Sequence, residues 1–450
     1  MKRTECRPAA LVCAVVCCIC LRVGPVHGAE PEPPLQEQLR QLQQQNDRLQ
    51  RQMQQQQEVI ENLSRKVSGL ESASQRQAGQ PGVNAPTSEE PAASMASAKP
   101  FGLGKINLSG EGGLAFFQSQ SKGPYPKAEF RVDEARLFLE AQVWQDVYFV
   151  TEADLALREE DNLNWRVGEL YLDAEDISRL WNRERQLNLR LGRFYIPFGE
   201  EYLQRNAINN PLISHSLSDL WGLDQGLELY GAFGKLQYAL AVQNGGVQTL
   251  TDFNSDKSVA ARVSYDPANW LHLSVSAMRT GDLDNQGDML SAMWFGNSFF
   301  RSPSPNATTF HDEVVEGDVR FQWSNGHLQA AGGYVHADDN DKLATHRQRD
   351  VYYYYVEGVQ NVTKRFYGAA RWSQILAHRG FPVVGNGDFG EYLFDDAQLT
   401  TGIWRLGLGV GYRLSQHLLL KTEYTFEQGN TLSGKRKHEN LFSAEVAFKF

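Results

Sequence analysis

From residue 101 to residue 450 the chain alternates apolar and polar residues with a period of two. Phe442, Ala444, Val446, Phe448 and Phe450 share one face of a strand, and Ser443, Glu445 and Lys449 share the other. Leu418, Leu420, Tyr424 and Phe426 stand against Lys421 and Glu423. Trp404, Leu406, Leu408, Val410 and Tyr412 stand against Arg405, Gly407, Gly409 and Gly411. Side chains of a strand point to opposite faces in turn, so each segment has one apolar face and one charged face. Repeated in segments of about ten residues, that is the pattern of a membrane-spanning β-barrel. Sixteen candidate strands fall near 103–118, 129–144, 146–158, 164–175, 187–194, 226–233, 235–244, 257–266, 269–280, 314–323, 326–337, 349–358, 362–373, 401–413, 416–428 and 438–450. Their connections divide into two kinds. Turns such as Phe233-Gly234-Lys235 and Ser324-Asn325-Gly326 are short, whereas residues 195–225, 281–313 and 374–400 form long loops. An even strand number with short turns on one side and long loops on the other is what closure in an outer membrane requires. Trp144, Tyr265, Trp270, Trp323 and Tyr412 near strand ends supply interface aromatics. A soluble two-sheet sandwich is the competing reading, and sixteen strands in one unit fit it poorly. The fold class expected is therefore an all-β transmembrane barrel of about sixteen antiparallel strands, preceded by an α-helical coiled coil.

The N-terminal hundred residues read differently. Lys2, Arg3 and Arg7 precede an apolar run from Pro8 to Leu21, and small residues follow at Gly28-Ala29. Residues 1–29 are thus expected to be a signal peptide, with a membrane anchor as the alternative. All five cysteines (Cys6, Cys13, Cys17, Cys18, Cys20) lie inside it, so thiol chemistry is closed to the rest of the chain. Within 30–78, Leu35, Leu42, Leu49, Gln56, Leu63, Leu70 and Gln77 recur every seven residues, interleaved with Leu39, Asn46, Met53, Ile60, Val67 and Ser74, the polar Asn46 and Gln56 fixing register at a cost in stability. That heptad register predicts a periplasmic coiled coil, and it leaves dimer and trimer open. A glutamine-rich disordered tract would not hold apolar residues in register. Residues 79–100, rich in Gly, Pro, Ala and Ser, form a flexible linker to a barrel domain over 101–450.

Two segments carry a family resemblance. Glu134-Ala135-Arg136-Leu137-Phe138-Leu139-Glu140 with Glu152-Ala153-Asp154 is one, and Leu191-Gly192-Arg193-Phe194-Tyr195-Ile196-Pro197-Phe198-Gly199-Glu200-Glu201 with Arg205 and Pro211 is the other. Both resemble the phosphate-selective porin O and P family, with specific motifs confined to 131–232. The resemblance implies a trimeric outer-membrane channel, and Phe450 looks like the terminal assembly signal of such barrels. It also implies that the loop 195–225 folds inward and sets the constriction.

Alternation aims Arg136, Arg190, Arg262, Arg320, Arg371, Arg405 and Lys421 at the lumen, and the loop adds Arg205. These eight are the candidate pore-lining and substrate residues, because rings of cations select anions. Arg365 shares that parity, and Glu134, Glu140, Glu152, Asp154, Glu169, Glu316, Asp318 and Glu423 face the same way. Residues 101–450 carry 33 basic against 44 acidic groups, net −11. An acidic chain of this kind excludes a basic nucleic-acid binder. Each lumen arginine has a plainer reading as a wall-stiffening salt bridge to the next strand. Gly407-x-Gly409-x-Gly411 lies mid-strand with no helix following, so it is no nucleotide loop. Asp282-x-Asp284 lacks the closing glutamate of a calcium loop, with Met293 at the twelfth position. No catalytic, metal or cofactor site is expected. The expected function is passive diffusion of small hydrophilic, charged solutes, phosphate or other anions among them. Outer-membrane lipid and two further copies of the chain are the expected partners, with peptidoglycan a candidate partner of the stalk. The alternative is a structural protein tethering the membrane to peptidoglycan or a periplasmic partner through the coiled coil.

Overall fold

The computed structural model describes residues 106–119, 127–157, 165–246, 252, 254–284, 291–295, 298–300, 306–343, 348–381, 383–385, 400–435 and 440–450. The expected signal peptide (1–29), coiled coil (30–78) and linker (79–100) lie outside the described residues.

Sixteen antiparallel strands form one closed ring: β1 (Ile106–Ser119), β2 (Glu129–Trp144), β3 (Val147–Ala156), β4 (Arg166–Ala174), β5 (Asn188–Tyr195), β6 (Leu220–Phe233), β7 (Leu236–Gln243) and β8 (Ser258–Ala268). The ring continues with β9 (Leu271–Arg279), β10 (Thr309–Trp323), β11 (Gly326–Asp339), β12 (Arg349–Asn361), β13 (Phe366–Phe381), β14 (Thr400–Ser415), β15 (Leu418–Thr431) and β16 (Leu441–Lys449). Each strand pairs with the next in sequence, and β16 closes on β1 from Glu111↔Lys449 to Ser119↔Leu441. The Phe450 N–H donates to the Gly110 carbonyl at 2.9 Å. Closure leaves no sheet edge, which an apolar surrounding would penalise heavily. Tight turns such as Gln145–Asp146 and Gly234–Lys235 join the strands on one side, with Asp146 and Gly234 in the left-handed region that these turns demand (φ 53° and 65°).

The pleat sorts the side chains. On β15, Leu420, Tyr424 and Phe426 are exposed outward, while Lys421 and Glu423 are 2% exposed inside. The strand boundaries shift from the sequence expectation in three places. β6 begins at Leu220, β10 at Thr309, and β13 runs on to Phe381, so each long loop is shorter than expected. Arg365 falls in the β12–β13 turn and is exposed, so it is not a wall residue.

Two features depart from a polar-lined barrel. Val314, Val335, Val351, Tyr353, Ile375 and Ile403 face inward from β10–β14 and pack with Ile196, Phe198, Leu217, Met293 and Phe295 as an apolar core inside the ring. A second, small sheet also forms at the long-loop side. Leu220–Gly222 of β6 pair with Met293–Phe295, which pair with Ser298–Phe299, and Ser298–Phe300 pair with Val383–Gly385 beyond β13. β6 and β13 stand seven strands apart in the ring, so this sheet links opposite walls.

Candidate functional site

The loop 196–219, between β5 and β6, lies inside the barrel. Its path is set residue by residue. Gly199 takes a positive φ of 68° directly after Pro197-Phe198 and turns the chain inward. Its N–H donates to Ser276 Oγ and its carbonyl accepts from Arg262 Nη1, both at 2.9 Å. A short 3-10 turn over Glu201–Gln204 follows, and the chain then lies along the inner face of β12–β16.

That face is built to hold it. From the adjoining wall, Glu134 of β2 accepts the Ala207 N–H. Glu423 accepts the Ile213 and Ser214 N–H groups at 2.7 Å each and the Ser214 hydroxyl at 2.6 Å. Lys421 Nζ donates to the carbonyls of Ala207 (2.6 Å) and Leu212 (3.0 Å) and pairs with Glu445 at 2.7 Å. Arg371 pairs with Glu357 and reaches the Ser214 carbonyl at 2.7 Å and Asn210 Oδ1 at 3.0 Å. Arg405, paired with Glu427 at 2.9 Å, reaches the His215 carbonyl at 3.4 Å. Tyr367 donates to the Pro211 carbonyl, and Ser373 Oγ accepts the Leu217 N–H. A loop away from water must have its backbone groups paired, and here the wall supplies the partners. Steric room comes from β14: a Cβ added at Gly409 would lie 2.5 Å from Leu212 Cδ2 and 2.8 Å from the Thr422 carbonyl. Gly407 and Gly409 therefore form the bed of Leu212, and Gly411 makes room for the Tyr367 ring.

The eight candidate cations divide by position. Arg262, Arg371, Arg405 and Lys421 grip the loop from the wall. Arg205 lies within the loop, buried, paired with Asp219, its guanidinium 4.1 Å over the Trp221 ring. Arg136 sits among Glu134, Glu152 and Asp154 at 3.6–3.7 Å. Arg190 bridges Asp173 (3.0 Å) and Glu228 (2.9 Å) and lies over Tyr171 at 4.4 Å. Arg320 is half-buried and makes no ion pair among the described residues. Cross-strand ion pairs thus occur beside a use that alternation did not indicate, donation to loop carbonyls. Alternation marks Glu134 and Glu423 only as lumen charges; that they accept loop N–H groups depends on contacts 73 and 210 residues apart.

Inside the loop, Glu201 accepts from the Ser216 N–H and hydroxyl. Burial, with Asp219 adding repulsion, pushes its carboxyl up to about 7. At Glu200, burial works against the charge, yet the hydrogen bond from His272 and the Arg262 guanidinium hold its carboxyl below the usual range. The opposite side of the loop is less enclosed. Leu203 is 49% exposed and Asn209 is exposed, although both stand inside the ring. Tyr202 meets Arg262 across that side at 5.4 Å.

No protein-family model and no curated protein sequence matches the chain. Solved structures do. The barrel is similar to the outer membrane channel DcaP of Acinetobacter baumannii, at 14% identity and a TM-score of 0.51, covering 77% of this chain and 97% of that one. It is similar also to OmpT, an outer membrane protein of Vibrio cholerae, at 10% identity and a TM-score of 0.52, with coverage of 77% and 97%. At these identities the likeness is one of fold: the chain shares its barrel architecture with these two proteins.

Proposed function

We propose that the protein is an outer-membrane channel through which small hydrophilic solutes, charged ones included, diffuse passively. One observation carries this reading. The inner loop is fastened to the β12–β16 wall and leaves Leu203 and Asn209 exposed, and we read that exposure as a lumen the loop narrows without filling. An outward apolar belt, an inward charged wall and a closed ladder are what a water-filled pore in a membrane needs. DcaP is described as an outer membrane channel, and the shared fold makes the same role reasonable here. Arg190, Arg262 and Arg320 stand outside the β12–β16 clamp, and we assign them the contact with passing anions. Phosphate enters on the resemblance of residues 131–232 to the O and P family. A homotrimer, with the heptads of 30–78 as a periplasmic stalk, completes the proposal. Those heptads also carry the second reading, a tether to peptidoglycan.

The test is single-channel conductance of the purified full chain in a planar bilayer. Open steps grouped in threes support a trimeric channel, and reversal potentials in a salt gradient give its sign. A folded, heat-modifiable barrel that never conducts would overturn the channel and leave the tether.

A further inference from the structure

The ring is weakest between β4 and β5. Their ladder runs from Ala174↔Leu189 only as far as Leu170↔Arg193. Above that point β4 continues to Arg166 and β5 to Tyr195 without pairing. Side-chain bonds replace the ladder: Arg193 Nε donates to the Gly168 carbonyl at 3.0 Å, and the Tyr195 N–H donates to Glu169 Oε1 at 3.3 Å. A cavity of about 1170 Å³ opens at this split.

Its lining combines three chemistries. Leu170, Leu191 and Leu227 are exposed and stand on the outward face of their strands. Trp221 and Trp294 stack in parallel, 5.2 Å apart, at the inner side. Arg166 and Arg193 supply charge, with Arg136 and Lys257 also on the lining and Asp154 as the one acid among them. Arg193 is the informative residue. The register Leu170↔Arg193↔Gln225 places it on the outward, leucine-bearing face, not in the lumen. Asp224 and Asp154 are the acids that bear on its charge, but neither forms an ion pair with it, and its Nη groups donate to no described residue. An arginine on the lipid side of a barrel costs about 2–4 kcal/mol at mid-membrane and less near the interface. A partner with negative charge and an acyl chain would remove that cost while covering the leucines.

We infer that the β4–β5 crevice binds an anionic amphiphile of the membrane, its phosphate or carboxylate headgroup on Arg193 and Arg166 and its acyl chain along Leu170, Leu191 and Leu227. The inference rests on the membrane-spanning reading above. Headgroup recognition by a guanidinium fork is charge-assisted and directional, and the aliphatic wall is continuous with the outward surface of the barrel. The two indoles give the site a reporter.

The full chain is reconstituted in vesicles whose phosphatidylglycerol or phosphatidylcholine carries brominated acyl chains, and tryptophan quenching is measured. The Trp221 and Trp294 component is taken as the difference from a W221F/W294F variant. Phosphatidylglycerol is expected to quench that component at least twofold more than phosphatidylcholine. The excess should vanish in R193Q and survive millimolar inorganic phosphate. Equal quenching by the two lipids, or an excess indifferent to R193Q, overturns the inference. So does displacement by inorganic phosphate, which would make the site one for free anions. Quenching by neither lipid overturns it too. A barrel that fails to insert at all breaks the membrane reading instead, and heat-modifiability in the same vesicles separates the two failures.

Discussion

The two inner walls of the barrel carry similar side chains and use them differently. On β12–β16, Glu357, Arg371, Arg405, Lys421, Glu423 and Glu445 are all buried, and all except Glu357 and Glu445 bond directly to the inner loop. Those two complete the pairs of Arg371 and Lys421. On β4–β6, Arg190 bridges Asp173 and Glu228 of the neighbouring strands and touches no loop backbone. The difference teaches that an inward charge in a barrel has no fixed job. Where a loop lies against the wall, burial makes the charge a clamp, because unpaired backbone groups there would be costly. Where no loop backbone is bonded, the same residue types cross-brace neighbouring strands.

The largest break in this comparison should come from Lys421→Ala. It leaves Glu445 buried without its cation and frees three loop carbonyls, at a cost of about 3–5 kcal/mol. Denaturant midpoints of the heat-modifiable band should fall accordingly, and the double variant K421M/E445L should recover most of the loss. A K421A barrel as stable as wild type would dissolve the distinction between the walls. Glu423→Ala comes next. Three loop donors lose their acceptor, about 1–3 kcal/mol for each group left buried and unpaired, which is enough to lift the loop. Conductance should rise and become noisy, whereas Glu228→Ala on the other wall should leave the open level steady. Arg320→Glu probes selectivity without disturbing a clamp. A change of two charges several ångströms from a permeating ion in water is worth about 1 kcal/mol or less, so the anion-to-cation permeability ratio should fall on the order of threefold. An unchanged reversal potential would remove Arg320 from the pore-lining set.

The smallest effect concerns pH. Glu201 holds its proton up to about 7 in the folded loop, above its ordinary value of 4.5. The docked loop then binds more protons than the undocked one between those values, so its stability falls as pH rises through this window. Gating noise should increase from pH 4.5 to pH 7.5 in wild type and stay flat in Glu201→Gln. An identical pH response in both proteins would locate the titration elsewhere.

Parts of this were legible in the chain. The strands of β14–β16 could be read almost to their ends, because Lys421, Glu423, Arg405 and Glu445 alternate strictly with large apolar neighbours. The inward loop was visible too, through its resemblance and its length. Other parts were hidden. Val351-Tyr352-Tyr353-Tyr354-Tyr355-Val356 is apolar on both faces, the one local sign that β12 meets an apolar core inside the ring as well as presenting an exposed apolar face outside it. The start of β6 at Leu220 was hidden because Leu220–Gly222 pair with Met293–Phe295, a partner 73 residues away.

What the sequence by itself determined is the count of strands, their alternation and the sidedness of their connections. These follow from a two-residue pleat and local turn chemistry, which read only near neighbours. Tertiary structure alone decided which charges hold the loop, which brace the wall, and where the wall parts between β4 and β5. Each of those outcomes depends on what stands opposite a side chain across the lumen. No period along the chain encodes that distance.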